Sequence, residues 1–157
     1  MAGMMCRWTE PPNNETELIT VANAIDNLQG ALLRATANRP KVGGFPYFAE
    51  TMRQAGVTRN SWYLPSCQSL FITESGSVTV VGKPLVTGMV AVPPFNREAL
   101  IAALRTDQAG EGSFEEFLEA SWDAGVVRYE VDFSARVVRY FGCSDEMYEE
   151  AYSRVEV

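Results

Sequence analysis

The sequence predicts a single α+β domain: an antiparallel sheet with helices packed on one side. Three observations carry that expectation. Apolar residues recur at helical spacing between Glu15 and Ala37. Short runs rich in β-branched and aromatic residues follow, punctuated by Gly, Pro and Ser. A helix–glycine–strand pattern then occurs twice, at an offset of 69 residues. The length, 157 residues, is about one domain's worth. A chain of this size buries roughly 70% of the surface its unfolded form exposes, enough for one core without disulfides or a metal. Residues 1–14 read as a mobile N-terminal tail and 15–157 as the domain.

Taken in order, Leu18, Val21, Ala22, Ile25, Leu28, Leu32 and Ala35 line one face of the first helix. Asn38-Arg39-Pro40 stops it, because the residue before proline leaves the helical region. Gly43-Gly44 is a turn. Phe45, Phe48 and Met52 mark a short helix over about 46–54, closed by a glycine cap at Ala55-Gly56. Strands are expected at 58–64, 67–73, 77–81 and 85–92, separated by Pro65-Ser66, Ser75-Gly76 and Lys83-Pro84. Asn96 is the expected N-cap of a helix over about 96–108. Ser113-Phe114-Glu115-Glu116 has the form of a capping box and opens another helix, to Asp123. The stretches 126–133 and 136–142 read as a hairpin, 144–152 as a short helix and 155–157 as extended.

The repeat pairs Phe45, Phe48, Ala55, Gly56, Val57 and Arg59 with Phe114, Phe117, Ala124, Gly125, Val126 and Arg128. Two copies are too few for a solenoid. They suit a duplicated helix–strand unit, about 45–73 and 114–142, in a domain with a pseudo-twofold relation. The alternative is coincidence, since a helix followed by a glycine cap is a common local solution.

Composition excludes much chemistry. With no histidine there is no serine–histidine–acid triad, no cysteine–histidine dyad, no HExxH zinc helix and no imidazole pH switch. Cys6, Cys67 and Cys143 are odd in number and widely spaced, which reads as reduced thiols in a cytoplasmic protein and argues against a structural zinc site. Residues 1–7 have no long apolar run, so no signal peptide is expected, and no stretch approaches a membrane span. The net charge of −7 disfavours nucleic acid. The charge is also separated: residues 107–123 carry six acids and no base, while 31–60 carry five bases and one acid. Such separation helps copies of a chain find each other, so a homodimer is expected.

The stretch from Phe45 to Tyr152 resembles the YbcV-like bacterial family of unknown function, some of whose members are labelled phage envelope protein. The residues that carry the likeness are Ala55-Gly56-Val57-Thr58-Arg59, Leu104 with Gln108 and Gly110, Phe114 with Phe117, Ala124-Gly125-Val126, Asp132-Phe133, Tyr140-Phe141-Gly142 and Glu150-Ala151-Tyr152. The resemblance implies a small α+β domain with no established activity. Members often carry His-Gln where this chain has Asp107-Gln108, so any chemistry of that histidine is missing here.

Several side chains are candidates for a site. Gly76 to Lys83 resembles a phosphate loop only superficially, with the wrong glycine spacing and Pro84 where a hydroxyl should follow. Glu115, Glu116, Glu119 and Asp123 could hold a cation, but they fall opposite Phe114, Phe117, Leu118 and Trp122, on the wet face of an amphipathic helix. Arg59 and Arg128 are repeat equivalents on strands. They either pair with strand carboxylates or converge as anchors for an anion, with Trp62 and Tyr129 as aromatic walls. Tyr148 and Tyr152 either contact a partner or fold back on their own domain. Cys67 and Cys143 read as inert thiols.

These observations favour a small non-enzymatic interaction or accessory protein, with no catalytic residue, metal or cofactor expected. The alternatives are a binder of anionic metabolites built on Arg59, Arg128, Trp62 and Tyr129, and, least supported, an enzyme using carboxylates or tyrosine as acid and base.

Overall fold

A computed structural model describes residues 15–157, so the expected N-terminal tail and Cys6 lie outside the described residues. The chain forms α1 (Glu15–Ala37), α2 (Gly44–Gln54), β1 (Val57–Tyr63), β2 (Gln68–Thr73), β3 (Gly76–Val81), α3 (Arg97–Gln108), α4 (Phe114–Asp123), β4 (Arg128–Asp132), β5 (Val137–Phe141) and β6 (Met147–Ala151). The fold is α+β, with four helices among the described residues and one six-stranded antiparallel sheet of order β3-β2-β1-β4-β5-β6. Each half of the chain is two helices followed by a three-stranded meander. The meanders join through their first strands, with Ser61 opposite Glu130 and Trp62 opposite Tyr129.

Local chemistry explains most boundaries. Asn96 accepts a hydrogen bond from the Ala99 amide and caps α3. Ser113 and Glu116 form a reciprocal capping box on α4. Gly56 and Gly125 sit at φ +84° and +81° just beyond α2 and α4, a conformation glycine adopts without the Cβ penalty.

Strands alternate between two environments. Asn60, Ser69, Phe71, Tyr129, Val131, Val138 and Tyr140 point to the helices and are buried. There they meet Leu28, Ala31 and Ala35 of α1, Met52 of α2, Leu100 and Leu104 of α3, and Phe117, Leu118 and Trp122 of α4. The polar Asn60 is admitted because it donates to Ser69 Oγ at 2.7 Å and to the Leu70 carbonyl. Among the described residues the opposite face bears no helix and carries charge, as in the row Glu130, Arg139, Glu149.

Three expectations are corrected. Residues 85–92 form no strand. Gly88 is left-handed, Met89 is fully exposed, and the Leu85 and Val86 amides bond to the Pro65 carbonyl instead of to a neighbouring strand. Residues 144–152 contain β6, not a helix. The free edge of β5 pairs with Met147–Ala151, and Tyr148 and Glu150 turn inward while Met147, Glu149 and Ala151 turn outward. The apolar stripe of α1 is buried only in its second half: Leu28 and Ala35 enter the core, while Leu18, Val21 and Ile25 are exposed.

Candidate functional site

The α1–α2 connection, the end of α3, the start of α4 and the helix-facing side of β4–β6 enclose a cleft. It has two adjoining chambers of about 370 and 300 Å³ that share Arg39, Gly43, Phe45, Pro46, Asp107, Gln108 and Phe114. Volumes in this range suit a small ligand.

Glycine and proline shape its mouth. Gly43, at φ +69°, occupies the N-cap of α2 and offers no side chain to the first helical amides. Gly44 is buried beneath Arg39; a Cβ there would fall 2.8 Å from Arg39 Nε. Gly110, at φ +73°, lets the α3–α4 turn press onto the Lys41 backbone, where a Cβ would meet the Lys41 carbonyl oxygen at 2.7 Å. Arg39 and Lys41 are thus held beside an uncapped helix N-terminus, an arrangement that favours anions. Neither forms an ion pair among the described residues, although Arg53, Arg105, Arg128, Arg136 and Arg139 all do.

The floor is aromatic. Tyr129 of β4 and Tyr140 of β5 are 7% and 6% exposed, and their rings lie 5.8 Å apart. Both line the second chamber with Phe45, Phe117 and Tyr152. Among the described residues neither phenol makes a hydrogen bond to protein. Burial pushes both far above the ordinary phenol range, so at neutral pH they are protonated donors. Tyr152 is pushed up to about 12 by burial, opposed by the Arg136 charge.

Asp107 borders both chambers from the last turn of α3. Burial raises its carboxyl above the ordinary range, partly opposed by the Arg39 charge. Glu150, on the β6 wall, is occupied by Arg105 and Gln108. Cations at the mouth, a carboxyl midway and phenols on the floor can bind and orient a small polar molecule. Among the described residues, no group of three His, Cys, Asp or Glu could hold a metal ion.

The structure divides the four residues expected to form an anion pocket. Arg59 and Arg128 lie on the open face of the sheet, four ladder positions apart, about 13 Å at the usual strand rise. Arg59 stands opposite Asp132. Arg128 Nε lies 3.1 Å from Glu130 Oε1 and its guanidinium 4.1 Å from the centre of the Phe141 ring. Trp62 and Tyr129 are on the other face, stacked against each other. So the two arginines do not converge, and neither joins the aromatic pair; Tyr129 alone lines the cleft. Tyr148 stacks on Tyr140 beneath Arg97, and Tyr152 meets Phe45 edge-on inside the cleft, so both contact their own domain. The acids Glu115, Glu116, Glu119 and Asp123 are solvent-exposed. Cys67 is buried, which raises its thiol, and Cys143 is exposed.

Arg39, Lys41 and Asp107 were not site candidates from sequence, whereas Tyr140 belongs to the set of aromatics open to lining a pocket. One local signal existed: two basic residues and two glycines immediately before a helix, the pattern of an anion-binding turn. Asp107 and Tyr140 belong to distant segments that only the tertiary fold brings to that turn.

Residues 34–151 match the family described as DUF1398, proteins of unknown function, and the chain belongs to that family. It is 53% identical over 132 residues to the uncharacterised proteins Rv2012 and MT2067 of Mycobacterium tuberculosis and Mb2035 of Mycobacterium bovis, covering 84% of this chain and 80% of each relative. An unknown-function family is also what the YbcV-like resemblance implied. No described helix is long and apolar enough to cross a membrane.

Proposed function

We propose that this DUF1398 protein binds a small anionic molecule with a planar, apolar body in the cleft between the two helical pairs and the sheet. One observation carries the reading: two largely buried tyrosine rings, whose hydroxyls have no protein partner among the described residues, floor a cleft whose mouth holds Arg39 and Lys41, neither of them in an ion pair among those residues. Hydroxyls that stand free at a cleft surface lined by aromatic rings offer donors to a bound polar molecule. The anion anchors are then Arg39 and Lys41, in place of Arg59 and Arg128.

The test is thermal melting of the full chain against a panel of aromatic carboxylates, nucleoside monophosphates and sugar phosphates. A ligand at a hundred times its Kd adds about 2.7 kcal/mol, roughly 5–10 °C for a chain of this length. Arg39→Ala and Tyr129→Phe should reduce the shift, and Arg59→Ala and Arg128→Ala should retain it. A flat panel, or a shift undiminished in both cleft variants, removes the reading.

Assembly of copies of the chain is a second reading. Its support is the first half of α1, which leaves Leu18, Ile19 and Val21 at least half exposed beside Ile25. A monomer by light scattering at high concentration would remove it. A dimer should dissociate on Leu18→Glu with Val21→Glu.

A further inference from the structure

We propose that the cleft selects a ligand carrying an ammonium group beside its carboxylate: an aromatic amino acid, or a molecule of that chemistry. The inference rests on the binding reading above and deepens it. It starts from Asp107, which borders both chambers and whose carboxylate accepts no hydrogen bond and joins no ion pair among the described residues. The other carboxylate on the cleft wall, Glu150, is already held by Arg105 and Gln108. Asp107 is therefore the carboxylate with acceptor capacity to spare.

The charges are ordered in space. Arg39 and Lys41 come from the α1–α2 connection and Asp107 from the end of α3, across the chamber they share. A ligand bearing only a carboxylate would satisfy the cations but set a second anion beside Asp107, and like charges in a partly desolvated site repel. An ammonium next to the ligand's carboxylate meets Asp107 instead, through a charge-assisted hydrogen bond. The ring then lies in the second chamber against Phe45 and Phe117, over Tyr129 and Tyr140. That chamber, about 300 Å³, is at the small end of ligand sites and suits a single ring system.

Matched probes test this by isothermal titration of the full chain at neutral pH: phenylalanine against 3-phenylpropanoate, and tryptophan against indole-3-propanoate. Each pair differs only by the ammonium group. The amino acid of at least one pair should bind tenfold tighter or better. Asp107→Asn should bring that ratio below threefold and leave affinity for the bare acid equal or higher. Bare acids that bind as tightly as their amino acids would overturn this inference and leave the anionic-ligand reading standing. If none of the four probes binds, the inference falls, while the wider anion panel judges the binding reading separately. The wild-type comparison decides the question even if Asp107→Asn folds poorly.

Discussion

Trp62 and Tyr129 face each other across the β1–β4 seam, with ring centres 6.1 Å apart and planes within 6° of parallel. The pair joins the two halves of the sheet and continues to Tyr140 and Tyr148, so one aromatic row crosses four strands. Stacking and burial involve the ring of Tyr129; its hydroxyl has no protein partner among the described residues. Tyr129→Phe should therefore leave stability unchanged or raise it by up to about 1 kcal/mol. Tyr129→Ala should cost about 3–5 kcal/mol, as for other large aromatic truncations in a core. Urea unfolding of the three proteins separates the cases. A substantial loss in the Phe variant would mean that the hydroxyl has a structural partner.

Gly56 and Gly125, 69 residues apart, each follow a helix at nearly the same φ, but in different surroundings. A Cβ on Gly56 meets the flexible Glu74 side chain at 3.3 Å; one on Gly125 meets the Pro94 and Phe95 backbone at 2.6 Å. That backbone is held in place by the Asn96 amide, which donates to the Ala124 carbonyl at 2.8 Å. Gly56→Ala should cost about 1–2 kcal/mol, the penalty for a left-handed alanine. Gly125→Ala should cost clearly more, because backbone must move. Equal losses on denaturant unfolding would contradict the difference in packing.

The same contrast shows where sequence reasoning works. The Ser113 capping box and the Asn96 cap are local, and both were legible from a few adjacent residues. β6 was not. Tyr148 and Tyr152 are spaced as on a helix, and Met and Glu favour helices, but pairing with Val137–Phe141 imposes period two and sets Tyr148 and Glu150 on one face. Residues 85–92 differ in the opposite direction: β-branched residues suggest a strand, but the Leu85 and Val86 amides turn to the Pro65 carbonyl and the segment pairs with no strand. The cleft fails for the same reason at longer range, since Arg39, Asp107 and Tyr140 lie on separate elements. No sequence interval shows that α3 ends above β5.

The α4 cap offers a simpler test. Ser113 Oγ accepts from the Glu116 amide, while Glu116 Oε2 accepts from the Ser113 amide. Ser113→Ala should cost about 1 kcal/mol, within the usual cap range of 0.5–2. Glu116→Gln should retain most of the cap, since glutamine can close the same box. Because α4 also borders the cleft through Phe114, Ser113→Ala should weaken any cleft ligand more than Glu116→Gln does. Chemical denaturation and ligand titration of the two variants would show whether the cap also supports the site.

Two carboxyls give stability opposite dependences on acid pH. Glu50 is 3% exposed, and Arg53 holds its carboxyl below the ordinary 4.5, through a hydrogen bond first and charge second, with Arg136 assisting. Because the folded value is depressed, its stabilisation is complete above about 4.5 and is lost as pH falls through the folded value. Asp107 is raised from 3.8 by burial. Its folded form takes up the proton first, so it carries no penalty below 3.8, and the penalty grows with pH until it is complete above the raised value. Glu50→Gln should therefore lose stability at neutral pH and show a shallower fall in acid. Asp107→Asn should gain stability at neutral pH and converge on wild type as pH drops below 3.8. Denaturant midpoints measured from pH 3 to 7 resolve the two. If Asp107→Asn is the less stable protein at neutral pH, the aspartate carboxylate has a partner within the folded chain.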